Sequence, residues 1–445
     1  MFRSDAVLES SWLAFCLLSL YSIASLTSMA GMSMGIVLVA LGVALGLGLS
    51  RAFRKRFFEQ AQASFRSGSV RAFAFLTLAL VAALLASLVM LKVAPHREVG
   101  ASAPEFFLRD IGKLLYLTFP FLWVTLLQMM GEQRKKQVLG IWCFFAGLMG
   151  IFGVIQFFTG FPRPQVIPTS PQFFHVTLLF GHHLSTASIM IFPGFAALAL
   201  AQAEAPRIAA PTGWFRFLRF RGFWLFSGTS ALFAVLLSFS RMAWLALPMG
   251  LLVFTLRHFK FGRPRLRTLG LMALVLLSVS TVIWKTPTLQ ERIRNPMGIS
   301  TRLALWKWNV ELFLERPVFG VGWRRSEVFT HALVQEKLPD PRLRKDIFVG
   351  HAHNNWIEML SGTGLVGLVM WSLYSLFPVW RAFRYRRLQT FWSSLSWGLA
   401  CAWIVFLLNG LTQVNFWEGK VMHQWALSLG FLLMTLVEIE EHKMT

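Results

Sequence analysis

The chain has 445 residues, of which 56% are apolar and 14% charged, where a soluble domain carries roughly 25% charged residues. With a mean hydropathy of +0.58, a soluble globular core is excluded, because the apolar residues fall in repeated runs of about twenty, the length that crosses about 30 Å of hydrocarbon. The formal net charge of +23 is read by position: cations gathered in alternate short loops set membrane topology and do not form a nucleic-acid surface.

Taken in chain order, the first apolar stretch, Trp12 to Leu26, follows Arg3 and precedes Ser28-Met29-Ala30, which resembles a cleavage site. The stretch is long and a second one starts at Met32, so a retained first helix is expected rather than a signal peptide. Hydropathy predicts an all-α integral membrane protein of about twelve transmembrane helices. They fall at 11–29, 32–50, 73–94, 111–130, 138–158, 176–203, 222–239, 242–256, 268–284, 356–380, 391–411 and 421–438. Every second short loop is basic, for example Arg51 to Arg71, Arg134 to Lys136, Arg257 to Arg267 and Arg381 to Arg387. This pattern places both termini and these loops in the cytoplasm. Between spans six and seven, Trp214 to Arg221 interleaves aromatic and arginine residues, as an interfacial helix does.

The ninth and tenth spans are joined by a large extracytoplasmic loop, 285–355, which is basic nonetheless. Within it Arg302 to Glu315 reads as an amphipathic helix, with Leu303, Trp306, Val310 and Phe313 on one face. Pro317 and the Gly320/Gly322 pair end that helix, which is expected to lie over the outer mouth of the bundle. The chain thus divides into N-terminal spans (1–175), central spans (176–284), the periplasmic loop (285–355) and C-terminal spans (356–445). The cysteines Cys16, Cys143 and Cys401 lie in or beside apolar runs; an odd number with none in a long loop argues against a disulfide framework or a metal cluster.

Four places carry residues suited to chemistry, all on the outer side by the same topology. Arg241 follows Ser240 in a connection almost without a loop; it is either a snorkelling interface anchor or a cation aimed at an anionic partner among the helices. Arg302 follows Ser300 and Thr301, either of which can cap a helix; the arginine is a surface cation or, beside the free N–H groups of a helix start, a phosphate ligand. His351 and His353 precede span ten, with Asn354 next to the second. In a helix, positions two apart point away from each other, so one imidazole faces a site and general-base chemistry is favoured over metal binding. His182 and His183 lie at the outer end of span six, as headgroup-level residues or in substrate positioning. The run Gly362-Thr363-Gly364-Leu365-Val366-Gly367 matches a dinucleotide fingerprint, but no βαβ unit surrounds it, so its small residues are expected to permit close packing instead.

Three runs then point to a family. HAHNNWIEMLSGTGLVGLVMW (351–371) resembles the histidine–asparagine signature of the O-antigen ligase/polymerase superfamily, SFSRMAW (238–244) its serine–arginine–tryptophan element, and STRLALWKWNVELFLERPVFGVGW (300–323) its arginine-bearing loop helix. The resemblance spans roughly 180 to 420 and implies a metal-independent, inverting glycosyltransferase of GT-C-like architecture without a cofactor. Such an enzyme sits in the bacterial inner membrane and moves a glycan from undecaprenyl pyrophosphate to lipid A–core on the periplasmic face. It further implies that Arg241 and Arg302 hold the pyrophosphate and that His353 is the base, with His351, Asn354, His182 and His183 near the substrates. Two other readings stand beside the ligase: a polymerase of the same superfamily, whose acceptor is another carrier-linked repeat, and a polytopic lipid or solute transporter. The scarcity of acidic residues inside the spans speaks against the transporter.

Overall fold

The computed structural model describes residues 2–93, 104–167, 170–203, 213–258, 297–337 and 351–444. In chain order its helices are α1 (Phe2–Ala24), α2 (Met29–Leu49), α3 (Arg51–Ser64), α4 (Gly68–Val93), α5 (Pro104–Gln128) and α6 (Glu132–Thr159). There follow α7 (His183–Gln202), α8 (Arg221–Leu237), α9 (Arg241–Thr255), α10 (Met297–Glu315), α11 (Ser326–Lys337), α12 (Asn355–Tyr385), α13 (Phe391–Asn409) and α14 (Gly419–Met444). Among the described residues, eight helices are long and apolar enough to cross a membrane: α2, α4, α5, α6, α7, α12, α13 and α14. Three more, α1, α8 and α9, are apolar but have shorter qualifying stretches. The predicted span at 268–284 and two parts of the predicted loop, 285–296 and 338–350, lie outside the described residues.

The chain is therefore an all-α membrane protein, with one addition that hydropathy does not show. After α6 the antiparallel ribbon of β1 (Val166–Ile167) and β2 (Ser170–Phe174) intervenes, and residues 176–182 are not helical, so the sixth predicted span begins seven residues late, at His183. The backbone donors of this loop are met by a buried glutamine. Gln156 Oε1 accepts from Thr177 N at 2.9 Å and Leu178 N at 2.7 Å, which satisfies polar backbone that hydrocarbon could not. The aromatic–arginine stretch forms a short 3-10 helix, Gly213–Arg219, with Leu218 buried and Arg216 and Arg219 exposed.

Burial sorts the helices into centre and rim. In α7, α13 and α14, 89%, 83% and 94% of the apolar stretch is enclosed by protein, against 28% in α2 and 33% in α4. The rim helices turn residues such as Leu41, Leu45, Phe75 and Leu78 outward, as lipid-facing surfaces do. Serines, threonines and amides fill the central helices instead: Ser188, Ser393, Ser396, Gln424 and Ser428 are all buried. At one end of the bundle, ion pairs lock the helices together. Glu440 of α14 binds Arg381 of α12 and receives hydrogen bonds from Ser67 and Ser69 at the start of α4, while Glu438 binds Lys135 of α6.

Two sequence expectations about the loop helix are corrected. It begins at Met297, so Ser300 and Thr301 lie inside it, and Arg302 sits beyond the first turn, away from the free N–H groups. Its buried face is Leu305, Trp308, Asn309 and Leu312, whereas Leu303 and Val310 are exposed. The expected stripe was turned because Trp308 and Leu312 pack with Phe329 and Leu333 of α11 into a satellite core of their own, and helical periodicity alone cannot tell which stripe meets a partner.

The small residues of α12 do permit close packing, but against an extended segment. The helix is broken at Gly364, where φ is 64° and ψ −163°. A Cβ there would lie 2.3 Å from the Val318 carbonyl oxygen. Pro317 O accepts from Leu365 N at 2.8 Å, and Val321 N donates to Ser361 O at 2.9 Å. The connection from α10 to α11 is thereby seated in the break in α12.

Candidate active site

The site is built where α5, α7, α12 and α14 begin. Asn354 caps α12, its side-chain oxygen accepting from Trp356 N at 2.8 Å and Ile357 N at 3.1 Å. Capping satisfies two orphan donors of the first turn and ends the helix there, so His351 and His353 are not helical. The premise that only one of them faces the site is thereby corrected. The chain turns at His353 with φ of 49°, a left-handed conformation that costs a non-glycine residue about 1–3 kcal/mol. The two imidazoles lie 4.3 Å apart between ring centroids.

Three contacts hold this turn. Glu358 accepts from Ala352 N at 2.8 Å and, through its other oxygen, from the Ser326 hydroxyl at 2.5 Å. Trp306 of α10 donates its indole N–H to Ala352 O at 2.9 Å. His353 N donates to His351 Nδ1 at 3.2 Å, which leaves the proton of neutral His351 on Nε2.

A cavity of about 470 Å³ opens beside the turn. His182, His351 and His353 line it, together with residues that sequence reasoning left out: Lys113 of α5, Arg324 and Glu327 near the start of α11, Glu358 of α12, and Gln413, Trp417, Glu418 and Lys420 around the start of α14. His183 is not among the lining residues; its ring stacks between those of His175 and His182, at 4.5 and 4.9 Å. Arg241 and Arg302 are absent from the lining as well, yet they lie close by. The Arg302 guanidinium acts on the His353 imidazole, and Arg241 acts on Arg302. Residues 241, 302 and 353 are thus brought together from three separate elements.

The electrostatics follow from that gathering. Burial first, then the neighbouring His351, Arg302 and His182, hold the proton affinity of His353 down to about 3. Its imidazole is neutral at physiological pH and so able to accept a proton. Burial and Arg241 also lower the affinity of Arg302: two adjacent guanidiniums repel, and an anion between them would relieve the repulsion. Among the described residues, no three His, Cys, Asp or Glu side chains gather as metal ligands would.

A second clasp fixes the far wall. Asp110, buried in α5, pairs with Arg324 Nε at 2.8 Å and Arg325 Nη2 at 3.5 Å. Trp323 N donates to Ser87 Oγ at 3.0 Å, so the α10–α11 connection is tied to α4 and α5. A carboxylate at a span edge is a signal in a chain with only 20 acidic residues, and it marks Asp110, Glu358 and Glu418 in retrospect.

Residues 226–372 match the family described as O-antigen ligase. The matched segment is about a third of the chain. The matched segment contains Arg241, Arg302, His351, His353 and Asn354, whereas His182, His183 and the 413–420 wall lie beyond it. No curated protein matches the chain. The O-antigen ligase match and the apolar helices together describe a membrane enzyme of glycan ligase or polymerase type.

Proposed function

We propose that the protein is an O-antigen ligase: it moves a glycan from undecaprenyl pyrophosphate to lipid A–core at the periplasmic face of the inner membrane. The observation that carries this reading is the meeting of Arg241, Arg302 and a neutral His353 beside the cavity. A polyprenyl pyrophosphate is already a good leaving group, so catalysis consists of stabilising the departing charge and activating the acceptor hydroxyl. Arg241 and Arg302 do the first, as preorganised cations whose mutual repulsion the pyrophosphate relieves. His353 does the second, taking the hydroxyl proton as the acceptor oxygen attacks the anomeric carbon and the carrier pyrophosphate leaves. In-line displacement inverts the anomeric centre. His351 and Asn354 support the turn that aims His353, and His182 meets the substrates at the cavity wall. His183, stacked behind His182, positions that ring.

The cationic 285–355 loop suits a phosphate-rich lipid A–core acceptor, which favours the ligase over the polymerase. The test is direct. Purified protein, carrier-linked glycan and lipid A–core should yield glycosylated lipid A–core. Growth of the carrier-linked chain without that transfer makes the enzyme a polymerase, and solute or lipid movement without any transfer makes it a transporter.

A further inference from the structure

The cavity opens where α5 begins; α3 (Arg51–Ser64) lies at the other end of the bundle, where α5 ends and α6 begins. Phe65, at the close of α3, stacks on Phe121 in the last turns of α5. Both neighbours of α3 in sequence, α2 and α4, are long and apolar enough to cross a membrane, and only Ser50 separates α2 from α3. A basic helix of 14 residues in that position runs along the membrane boundary, not through it. Its attachment is fixed. Ser50 caps it, the hydroxyl oxygen accepting from Phe53 N at 3.1 Å. The buried Phe53 ring rests on Gly46 of α2, where a Cβ would come within 2.7 Å.

Phe53 and Ser64 form the buried arc of α3, so the opposite arc turns away from protein. That arc carries Arg51, Arg54 and Lys55, all exposed, together with the exposed rings of Phe58 and Phe65. The helix holds four cations and one acid, Glu59, which pairs with Lys55 at 3.7 Å. Cations interleaved with aromatic rings at the edge of hydrocarbon suit a layer of anionic headgroups. One place on this surface is built from three elements. Half-buried Arg56 of α3 lies near the Arg134 guanidinium of α6; burial first, then Arg134, lower its proton affinity, with Glu59 opposing them. Arg134 in turn sits over Trp12 of α1, its guanidinium carbon 4.6 Å from the ring centroid, and Trp12 is 52% exposed.

We propose that Arg56, Arg134 and Trp12 form a binding site for the phosphate headgroup of an anionic membrane phospholipid, with the exposed arc of α3 lying in the headgroup layer around it. Two forked guanidiniums can share the oxygens of one phosphate, and the anion relieves their repulsion. The Trp12 indole occupies the boundary between headgroup and acyl chain, where amphipathic rings settle, while Phe58 and Phe65 meet the chains. A soluble phosphate would use the arginines and gain nothing from the rings. The site is remote from the cavity and does not depend on the transferase reading.

The test titrates full-length protein in mixed micelles with phosphatidylglycerol and counts bound lipid by native mass spectrometry, with phosphatidylcholine as the neutral reference. Wild-type protein should retain phosphatidylglycerol in preference. Arg56→Gln and Arg134→Gln should each weaken that binding about five-fold and leave phosphatidylcholine binding unchanged. Either variant, shown to be folded by its unfolding temperature in phosphatidylcholine alone, suffices for the comparison. The control is Arg216→Gln with Arg219→Gln, which removes two exposed cations from the 3-10 helix packed on Gly140 of α6 and should leave binding intact. A control that loses as much as Arg56→Gln with Arg134→Gln reduces the attraction to diffuse surface charge and overturns the site. Wild-type protein without preference for phosphatidylglycerol overturns it as well. Glycerol phosphate that binds as tightly as the lipid makes the ligand a soluble phosphate and overturns the lipid assignment.

Discussion

The two walls of the cavity are made in different ways. The wall at 351–358 is a strained turn: a left-handed His353 held by Glu358, by the Trp306 indole and by the ring of His351. The wall at 413–418 is a lattice of neutral amides and hydroxyls, with Asn355, Asn415, Ser188 and Gln413 bonded in that order. The first wall aims a reactive ring; the second offers fixed polar atoms. Strain is stored where a group must be presented in one orientation, and a neutral lattice serves where helix ends must be joined without charge. Substitutions should therefore strike kcat on the first wall and the fit of the helix ends on the second.

The largest effect should come from His353→Ala. Loss of a general base lowers the transfer rate by about 10² to 10⁴-fold, while carrier binding survives because the arginines remain. Sequence alone makes His351→Ala nearly silent. The bond from His353 N to His351 Nδ1 changes that expectation to an intermediate loss, about ten-fold, from a loosened turn. Single-turnover transfer by the two variants at equal expression is the measurement; an active His353 variant beside a dead His351 variant reverses the assignment.

Next come Arg302→Lys and Arg241→Lys. Each keeps the charge and loses the planar fork, so transfer should fall about ten-fold or more, with weaker binding of undecaprenyl pyrophosphate. Because Arg241 acts on Arg302, the double variant should lose less than the product of the single losses. Strictly multiplicative losses would separate the two arginines into independent sites.

A smaller effect is expected from Gly364→Ala, remote from both walls. Its φ of 64° and the 2.3 Å approach of Val318 O leave no room for a Cβ, and strain of about 1–3 kcal/mol follows. The seat of the α10–α11 connection should loosen, and with it Trp323 and the Arg324–Asp110 pair. Thermal unfolding in nanodiscs should shift down, and transfer should fall in proportion; unfolding at the wild-type temperature would detach the break in α12 from the site.

Much of this architecture is legible in the sequence, for physical reasons. Hydropathy finds the apolar helices because a bilayer demands long apolar runs, and eleven of the twelve predicted spans overlap described helices, whose ends differ from the prediction by up to nine residues. Arg241, Arg302 and His353 are found because cations and imidazoles are conspicuous at apolar boundaries. The packing partners are not legible. Nothing local tells that Leu305 and Trp308 rather than Leu303 and Trp306 turn inward, since α11 decides it. Nor does local sequence reveal that Asn354 spends its oxygen on a cap or that Gln413 and Trp417 line one cavity with a histidine some sixty residues away. Those facts depend on how the helix ends meet in space.

The smallest expected effect is a pH dependence that fails to appear. The proton affinity of His353 is lowered from 6.5 to about 3, so in the free protein its neutral form persists well below neutrality. The acid limb of kcat/KM, which reports the free enzyme, should therefore show no His353-linked drop as pH falls from 7 to 5. Stability carries the opposite record. The unfolded chain takes a proton near 6.5 and the folded chain only near 3, so between those values the unfolded state binds more protons and stability falls as pH falls. His353→Gln should flatten that part of the stability profile. Bound pyrophosphate changes the first wall without touching the second, because it neutralises Arg302, one of the charges that hold the imidazole down. The affinity of His353 then rises, the base strengthens only when the donor is in place, and the acid limb of kcat should lie at higher pH than that of kcat/KM. A kcat/KM that loses about ten-fold per pH unit below about 6.5 would give His353 an ordinary proton affinity and take Arg302 and His351 out of its surroundings.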